Sequence, residues 1–315
     1  MSSQLFKKPI PFLALLLAYI IWGGNFVVAK IALVEFPPMT LAFLRFALAS
    51  LFIAPFFLIH NKNFKYKKID KKHLPKLVLV GIFAVTLNIT LFFEGMLRTT
   101  AINASVLNLT VPILSVLFGW VVLKERIYFV NLIGIFAGLL GALIIIDLPQ
   151  LFFGDYSLRM LLGNLLIILA GISWVAGGVF AKQMLKIYPS HLVTTIAFLV
   201  GTVTFFLPAL KEYIDNPAWV NNVTFLGGLG LTYMTLLSSI SAYFLYEWGL
   251  SNTSVNKANL LQYVEPFIAS SLAVAILGEG ITPPFIFGAL LIGLGVYLGT
   301  LAKEPHHKIH KIHRH

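Results

Sequence analysis

The chain has 315 residues, of which 58% are hydrophobic and only 11% are charged. A soluble domain carries about 25% charged residues, so this composition excludes an ordinary soluble fold and makes the bilayer part of the solvent. There are no cysteines, which excludes disulfides, thiolate nucleophiles and Cys-ligated metals.

Apolar runs of about 20 residues, the length that crosses some 30 Å of hydrocarbon, recur along the chain. The predicted spans are 11–33, 39–59, 76–96, 101–122, 128–147, 161–183, 190–209, 225–247, 258–277 and 284–302. They are too long for barrel strands and lack the period-two alternation of barrels. The first run exceeds a signal peptide's apolar core and has no small-x-small cleavage site, so it reads as a span preceded by Lys7 and Lys8.

In chain order, the first span carries Trp22 and Asn25 on one face with Ala29, and Lys30 near its far end. Arg45 lies about a turn and a half inside the second span. Lys62, Lys65, Lys67, Lys68, Lys71, Lys72 and Lys76 fill the loop that follows. Glu94 ends the third span, and the fourth carries Ser105, Asn108 and Pro112. Trp174 and Lys182 sit in the sixth, and Glu247 ends the eighth. In the ninth, Asn259, Gln262, Glu265 and Pro266 share an arc of about 120° at 100° per residue. The tail holds Lys303, Lys308, Lys311 and Arg314 with five histidines, and reads as a disordered basic segment beside anionic lipid, with metal binding as the alternative.

Ten spans put both termini on one side. With that side cytoplasmic, eighteen Lys and Arg fall in inner segments and three (Arg98, Arg159 and Lys211) in outer ones. This is a positive-inside pattern. The net charge of +11 is therefore placed for orientation, not for nucleic acid.

The chain also repeats. Trp22, Ala29, Lys30 and Pro37 recur as Trp174, Ala181, Lys182 and Pro189. A gapless second block turns Gly95, Thr99, Ala104, Pro112, Glu125 and Gly134 into Gly249, Thr253, Ala258, Pro266, Glu279 and Gly288. Five spans per half is an odd number, so the second half should enter the membrane inverted. Inverted repeats characterise secondary transporters, whose sites lie near the midplane between the halves. The expected architecture is an all-α membrane protein with ten helices in two inverted repeats, 1–150 and 151–303, followed by a cytoplasmic tail, 304–315.

The stretches WGGNFVVAKIAL, NASVLNLTVPILSVLFGWVVLKERI and NKANLLQYVEPFIASSLAVAILGEGI resemble EamA-type members of the drug/metabolite transporter superfamily. The resemblance covers both halves. It implies a central cavity and export or exchange of small metabolites, amino acids or related compounds, across the plasma membrane. The second half departs from the opening pattern: Gly177 stands where Asn25 would repeat, and Ala197 where Arg45 would.

Polar stripes on apolar spans should face a cavity or a helix interface, not lipid. The candidate substrate-binding residues are Trp22, Asn25, Arg45, Asn108, Trp174, Asn259, Gln262 and Glu265. Glu94 and Glu247 are candidate gates, through ion pairs with Arg45 or Arg98 and with Lys257 or Lys182, or are simply interfacial. Pro112 and Pro266 remove backbone donors and are candidate hinges or packing kinks. Lys30 and Lys182 are expected to snorkel to the interface. Glu125 and Glu279, at matching loop positions, are expected to fix helix ends or pair locally, and not to bind substrate. Glu265 is the stripe member without a polar counterpart, since Val111 occupies its place in the first half. A mid-span acid costs about 2.5–3.5 kcal/mol and needs a polar partner, water or a proton, so a proton is a candidate coupling ion.

No HExxH, GxSxG, P-loop or GxGxxG motif stands in a suitable context. No cofactor or metal is expected, and an ATP-driven pump is unsupported. Competing readings are an intramembrane enzyme with Glu265 as acid/base, which lacks a mid-span His or paired Asp, and a non-transporting scaffold. The charge count makes the 60–75 loop cytoplasmic and 148–159 external. A cysteine at position 155 should therefore react with an impermeant thiol reagent on intact cells while one at position 66 is spared; the reverse pattern rejects this topology.

Overall fold

The computed structural model describes residues 9–60, 69–123, 129–145, 157–252 and 261–301. Among these, no strand occurs and ten helical rods follow one another. They are α1 (Pro9–Glu35), α2 (Pro38–His60), α3 (Leu74–Gly81, Ile82–Leu87 and Asn88–Met96 in sequence), α4 (Ala101–Asn108 and Thr110–Leu123) and α5 (Phe129–Ile145). The second set is α6 (Leu158–Met184), α7 (Ser190–Asp215), α8 (Phe225–Thr232, Tyr233–Ser241 and Ala242–Ser251), α9 (Val264–Leu272 and Ala273–Leu277) and α10 (Pro283–Leu301). Six are long and apolar enough to cross a membrane, and four are shorter apolar helices.

The local chemistry explains the breaks. Thr100 and Ser157 cap α4 and α6 by accepting from Asn103 N and Met160 N. Pro38 and Pro283 stand at helix starts, where the missing N–H is not needed. Pro112 displaces the carbonyl four residues back, at Asn108, and α4 is interrupted between Asn108 and Thr110. Pro266 does the same at Gln262, just before Val264 opens α9. Both prolines thus lie in the first turn of a new piece, not in mid-helix.

Wider π-type turns occupy Ile82–Leu87 in α3 and Tyr233–Ser241 in α8. The second repeat block, continued, carries the first of these segments onto the end of the second. Such turns loosen the backbone ladder and recur at functional sites.

Packing pairs α5 with α10, α2 with α7, α3 with α6 and α1 with both α8 and α9; α4 also meets α6. Exchanging the two sets of five leaves this pattern unchanged. The α5–α10 contact depends on missing side chains. A Cβ on Gly141 would lie 2.5 Å from Gly288 O, one on Gly288 2.7 Å from Gly141 O, and one on Gly295 2.5 Å from Gly134 O. These contacts are reciprocal under the repeat. Outward faces carry exposed Leu13, Leu17, Phe129, Phe136, Phe267 and Leu290, as lipid contact requires.

Overpacking a tight contact typically costs about 1–3 kcal/mol. Gly141→Leu and Gly288→Leu should each lower the melting temperature in detergent by several degrees. Gly178→Ala, at a position with open space, should not.

Candidate functional site

A cavity of about 340 Å³ lies between α1, α2, α3, α4, α6, α8 and α9. Seven residues singled out in the sequence line it: Trp22, Asn25, Arg45, Asn108, Trp174, Gln262 and Glu265. Pro112 lines it too. Glu94, Glu247 and Pro266 do not, and Asn259 lies outside the described residues.

The proline breaks aim the polar stripes inward. Asn108 ends the first piece of α4, and Glu265 lies in the first turn of α9. Asn108 Nδ2 donates to Glu265 Oε2 at 3.0 Å, so the two stripes meet across the halves. Glu265 is only 3% exposed. Gly23 allows this depth, because a Cβ there would lie 2.8 Å from Glu265 O. Ser105, expected on the same stripe as Asn108, turns back to donate to Ile102 O at 2.8 Å and is buried in the helix packing.

Arg45 is 4% exposed and held by the π-type segment of α8. Its Nε donates to Ser239 Oγ at 2.7 Å and its Nη2 to Ser238 Oγ at 3.3 Å. The Ser238 carbonyl accepts from Trp22 Nε1 at 3.1 Å, so one short segment orients both a cation and an indole in the cavity. Neither Arg45 nor Glu265 forms an ion pair; those among the described residues are Lys72–Asp70 and Arg98–Glu94. The cavity therefore holds a guanidinium and a carboxyl group that do not satisfy each other. Asn25 Oδ1 is buried and finds no donor among the described residues.

Aromatic rings form another wall. Trp22 packs at 5.8 Å from Tyr19, 5.5 Å from Tyr243 and 5.2 Å from Tyr246, centroid to centroid. Trp174 reaches Tyr243 at 6.1 Å, so both repeated tryptophans touch one ring. Where Asn25 would repeat, Gly177 packs against α3, and a Cβ there would lie 2.6 Å from Ala84 N.

The remaining candidates sit elsewhere. Glu94 pairs with Arg98, one turn further along the chain, at 2.5 Å. Glu247 Oε1 accepts from Thr194 Oγ1 at 2.7 Å. Lys30 Nζ donates to Met96 O at 2.7 Å and to Thr99 O, at the end of α3. Glu279 fixes a helix end, as expected, by accepting from Ala101 N and Ile102 N.

Sequence reasoning did not single out Tyr19, Asn88, Ser115, Ser238, Tyr243 and Tyr246, which also line the cavity. Asn88 and Ser238 are mid-span polar residues and so carried a usable signal. Tyr19 precedes Trp22 by three residues, and Tyr246 follows Tyr243 by three; helical spacing hinted at shared faces. Nothing in the sequence says that those faces meet.

Comparison with known proteins agrees with this architecture. An uncharacterized transporter of Archaeoglobus fulgidus is 32% identical over 295 residues, covering 93% of this chain and 97% of its own. A protein of Salmonella typhimurium named a probable amino-acid metabolite efflux pump is 27% identical, over 92% of this chain and 94% of its own. A solved crystal structure superposes with a TM-score of 0.62 at 17% identity, covering 94% of this chain and 98% of that one, and shows the shared fold. The model of the EamA-like transporter family matches residues 9–147 and again 161–301. This chain is a multi-pass membrane protein that belongs to the EamA-like transporter family.

Proposed function

We propose that the protein is a secondary transporter that exports or exchanges small zwitterionic metabolites, amino acids or related compounds, by alternating access. In this reading ten spans form two inverted five-helix repeats, 1–150 and 151–303. Both termini and the 304–315 tail face the cytoplasm, and the membrane is the plasma membrane. The halves rock about the cavity, exposing it to one side and then the other. The breaks at Pro112 and Pro266 serve as hinges on either side of the cavity.

The observation that carries the reading is that Arg45 and Glu265 line one cavity, each held by neutral hydrogen-bond partners and not by an ion pair. A buried guanidinium without an acid is expensive, and so is a buried carboxylate. A solute bearing a carboxylate and an ammonium group relieves both. Its carboxylate takes the remaining Arg45 donors, while its ammonium faces Glu265 and the Trp22, Tyr243 and Tyr246 rings, which attract cations. Asn25 Oδ1 supplies a further acceptor. A cavity of about 340 Å³ is of metabolite size. The name printed for the Salmonella relative, an amino-acid metabolite efflux pump, fits this substrate class. In the empty cavity Glu265 takes up a proton and releases it to bind the ammonium, which couples transport to the proton gradient.

Uptake and efflux of labelled amino acids in proteoliposomes, with and without a pH gradient, test the reading. Glu265→Gln keeps the shape and one carbonyl acceptor but cannot titrate. It should fold and insert normally, yet lose at least about tenfold in transport rate or lose its pH dependence, the usual scale of a lost charged contact. Arg45→Gln should raise the apparent KM for a carboxylate-bearing solute by about tenfold or more. Wild-type rates for both variants across the pH range would reject the site.

A further inference from the structure

Three glutamates tie helix ends of one half to helix starts of the other. Glu212, near the end of α7, accepts from Met39 N at 3.1 Å, Thr40 N at 2.7 Å and Thr40 Oγ1 at 2.8 Å. Glu279, between α9 and α10, accepts from Ala101 N at 2.8 Å and Ile102 N at 2.9 Å. Glu35, the last residue of α1, accepts from Thr224 N and Thr224 Oγ1, both at 2.7 Å. Each carboxylate comes from one half of the chain and covers the start of a helix in the other: α2, α4 and α8 in turn. Helix starts present unpaired N–H groups and the positive end of the dipole, which is where an anion binds well. Cations meet the opposite pole at the same end. Arg159 Nη2 donates to Leu97 O at 2.9 Å, beside the Lys30 contacts at the end of α3.

We infer that Glu35, Glu212 and Glu279 are gating residues of the transport cycle. They clamp the two halves together at this end in the state of the structure and release when this end opens. The inference rests on the proposed rocking of the halves.

Two features separate these contacts from ordinary helix caps. First, α4 and α8 already have local caps, since Thr100 Oγ1 accepts from Asn103 N and Thr224 Oγ1 from Gly227 N. At these two helices Glu279 and Glu35 are extra to secondary structure; what they add, as Glu212 does at α2, is a tie between halves. Second, their position suits reversible opening. Glu35 lies about 20 Å beyond Trp22 along α1, at about 1.5 Å per residue, so it sits near the helix end and does not reach the substrate. Water entering a gap there re-solvates both the carboxylate and the freed N–H groups. By contrast, the glycine contacts between α5 and α10 have no such replacement when pulled apart. Glu94 is a poorer gate, because its ion-pair partner Arg98 is on the adjoining turn of the same half.

The cysteine-free chain allows a direct test. Ile89→Cys places a reporter thiol on the cavity wall. An impermeant cationic methanethiosulfonate reagent is applied to right-side-out and to inside-out vesicles separately. With the caps intact, labelling should come predominantly from the uncapped face. Glu212→Ala and Glu279→Ala should each raise the labelling rate from the capped face about fivefold, as expected for a lost cap, with a larger rise in the double variant. Glu212→Gln, which keeps its volume and one acceptor, should give a smaller rise in the same direction and serves if the alanine variants fail to fold. A simple loss of stability would raise labelling from both faces alike and would overturn the assignment. So would a folded variant that labels from the capped face at the parent rate. Because labelling needs no solute, the gate can fail while transport stands. Conversely, a chain that gates by side but moves no amino acid would reject the transport reading and leave the gate intact.

Discussion

Within hydrocarbon a backbone polar group has no water to turn to, and every irregularity in a helix must find its partner inside the protein. That constraint gathers the interrupted backbone of this chain around one place. The α3 irregularity is met by Ser173, whose Oγ donates to Phe83 O at 2.7 Å, while Asn88 Nδ2 donates back to Ala170 O at 2.8 Å. The α8 irregularity is met by Trp22, and Tyr233 OH donates to Ile21 O at 2.8 Å. The proline breaks of α4 and α9 point the same way. The helices with broken or widened backbone, α3, α4, α8 and α9, thus all contribute to the cavity alongside the unbroken α1, α2 and α6, while α5 and α10 stand outside it, packed through glycine.

The repeat supplies a symmetric frame, yet the charged chemistry sits where the repeat fails. Arg45 corresponds to Ala197, Glu265 to Val111, and Asn25 to Gly177. On the proposed reading, a small solute with distinct ends needs a site with distinct walls, whereas two halves that rock about it need similar packing. Both demands are met when backbone-determining residues repeat and a few cavity side chains do not. Trp22 and Trp174 show the compromise: they repeat in sequence, but it is the Trp22 indole N–H that donates to the Ser238 carbonyl.

Charge at the helix ends follows a different logic from charge in the cavity. Glu35, Glu212 and Glu279 each find backbone N–H groups, and Lys30 and Arg159 find backbone carbonyls. These residues are satisfied by helix termini. Among the described residues, Arg45 and Glu265 hydrogen-bond to hydroxyl and amide partners, with the Phe46 ring beside Arg45. The difference in partner, more than depth alone, separates the cavity charges from those at the helix ends.

The sequence by itself determined the membrane class, the approximate positions of the helices, the repeat and most of the polar cavity residues. Hydropathy, proline position and mid-span polarity are local properties, and each limits what a segment can do in lipid whatever its neighbours are. Only the tertiary structure decided that Asn108 meets Glu265, that Ser238 and Ser239 hold Arg45, and that Tyr19, Tyr243 and Tyr246 complete an aromatic wall. It also paired Glu94 with Arg98 on the next turn of its own helix end, and gave Glu35, Glu212 and Glu279 partners that are backbone N–H groups more than a hundred positions away. A backbone donor has no side-chain identity to read in a sequence; it becomes a partner only when packing brings a helix end to the acid.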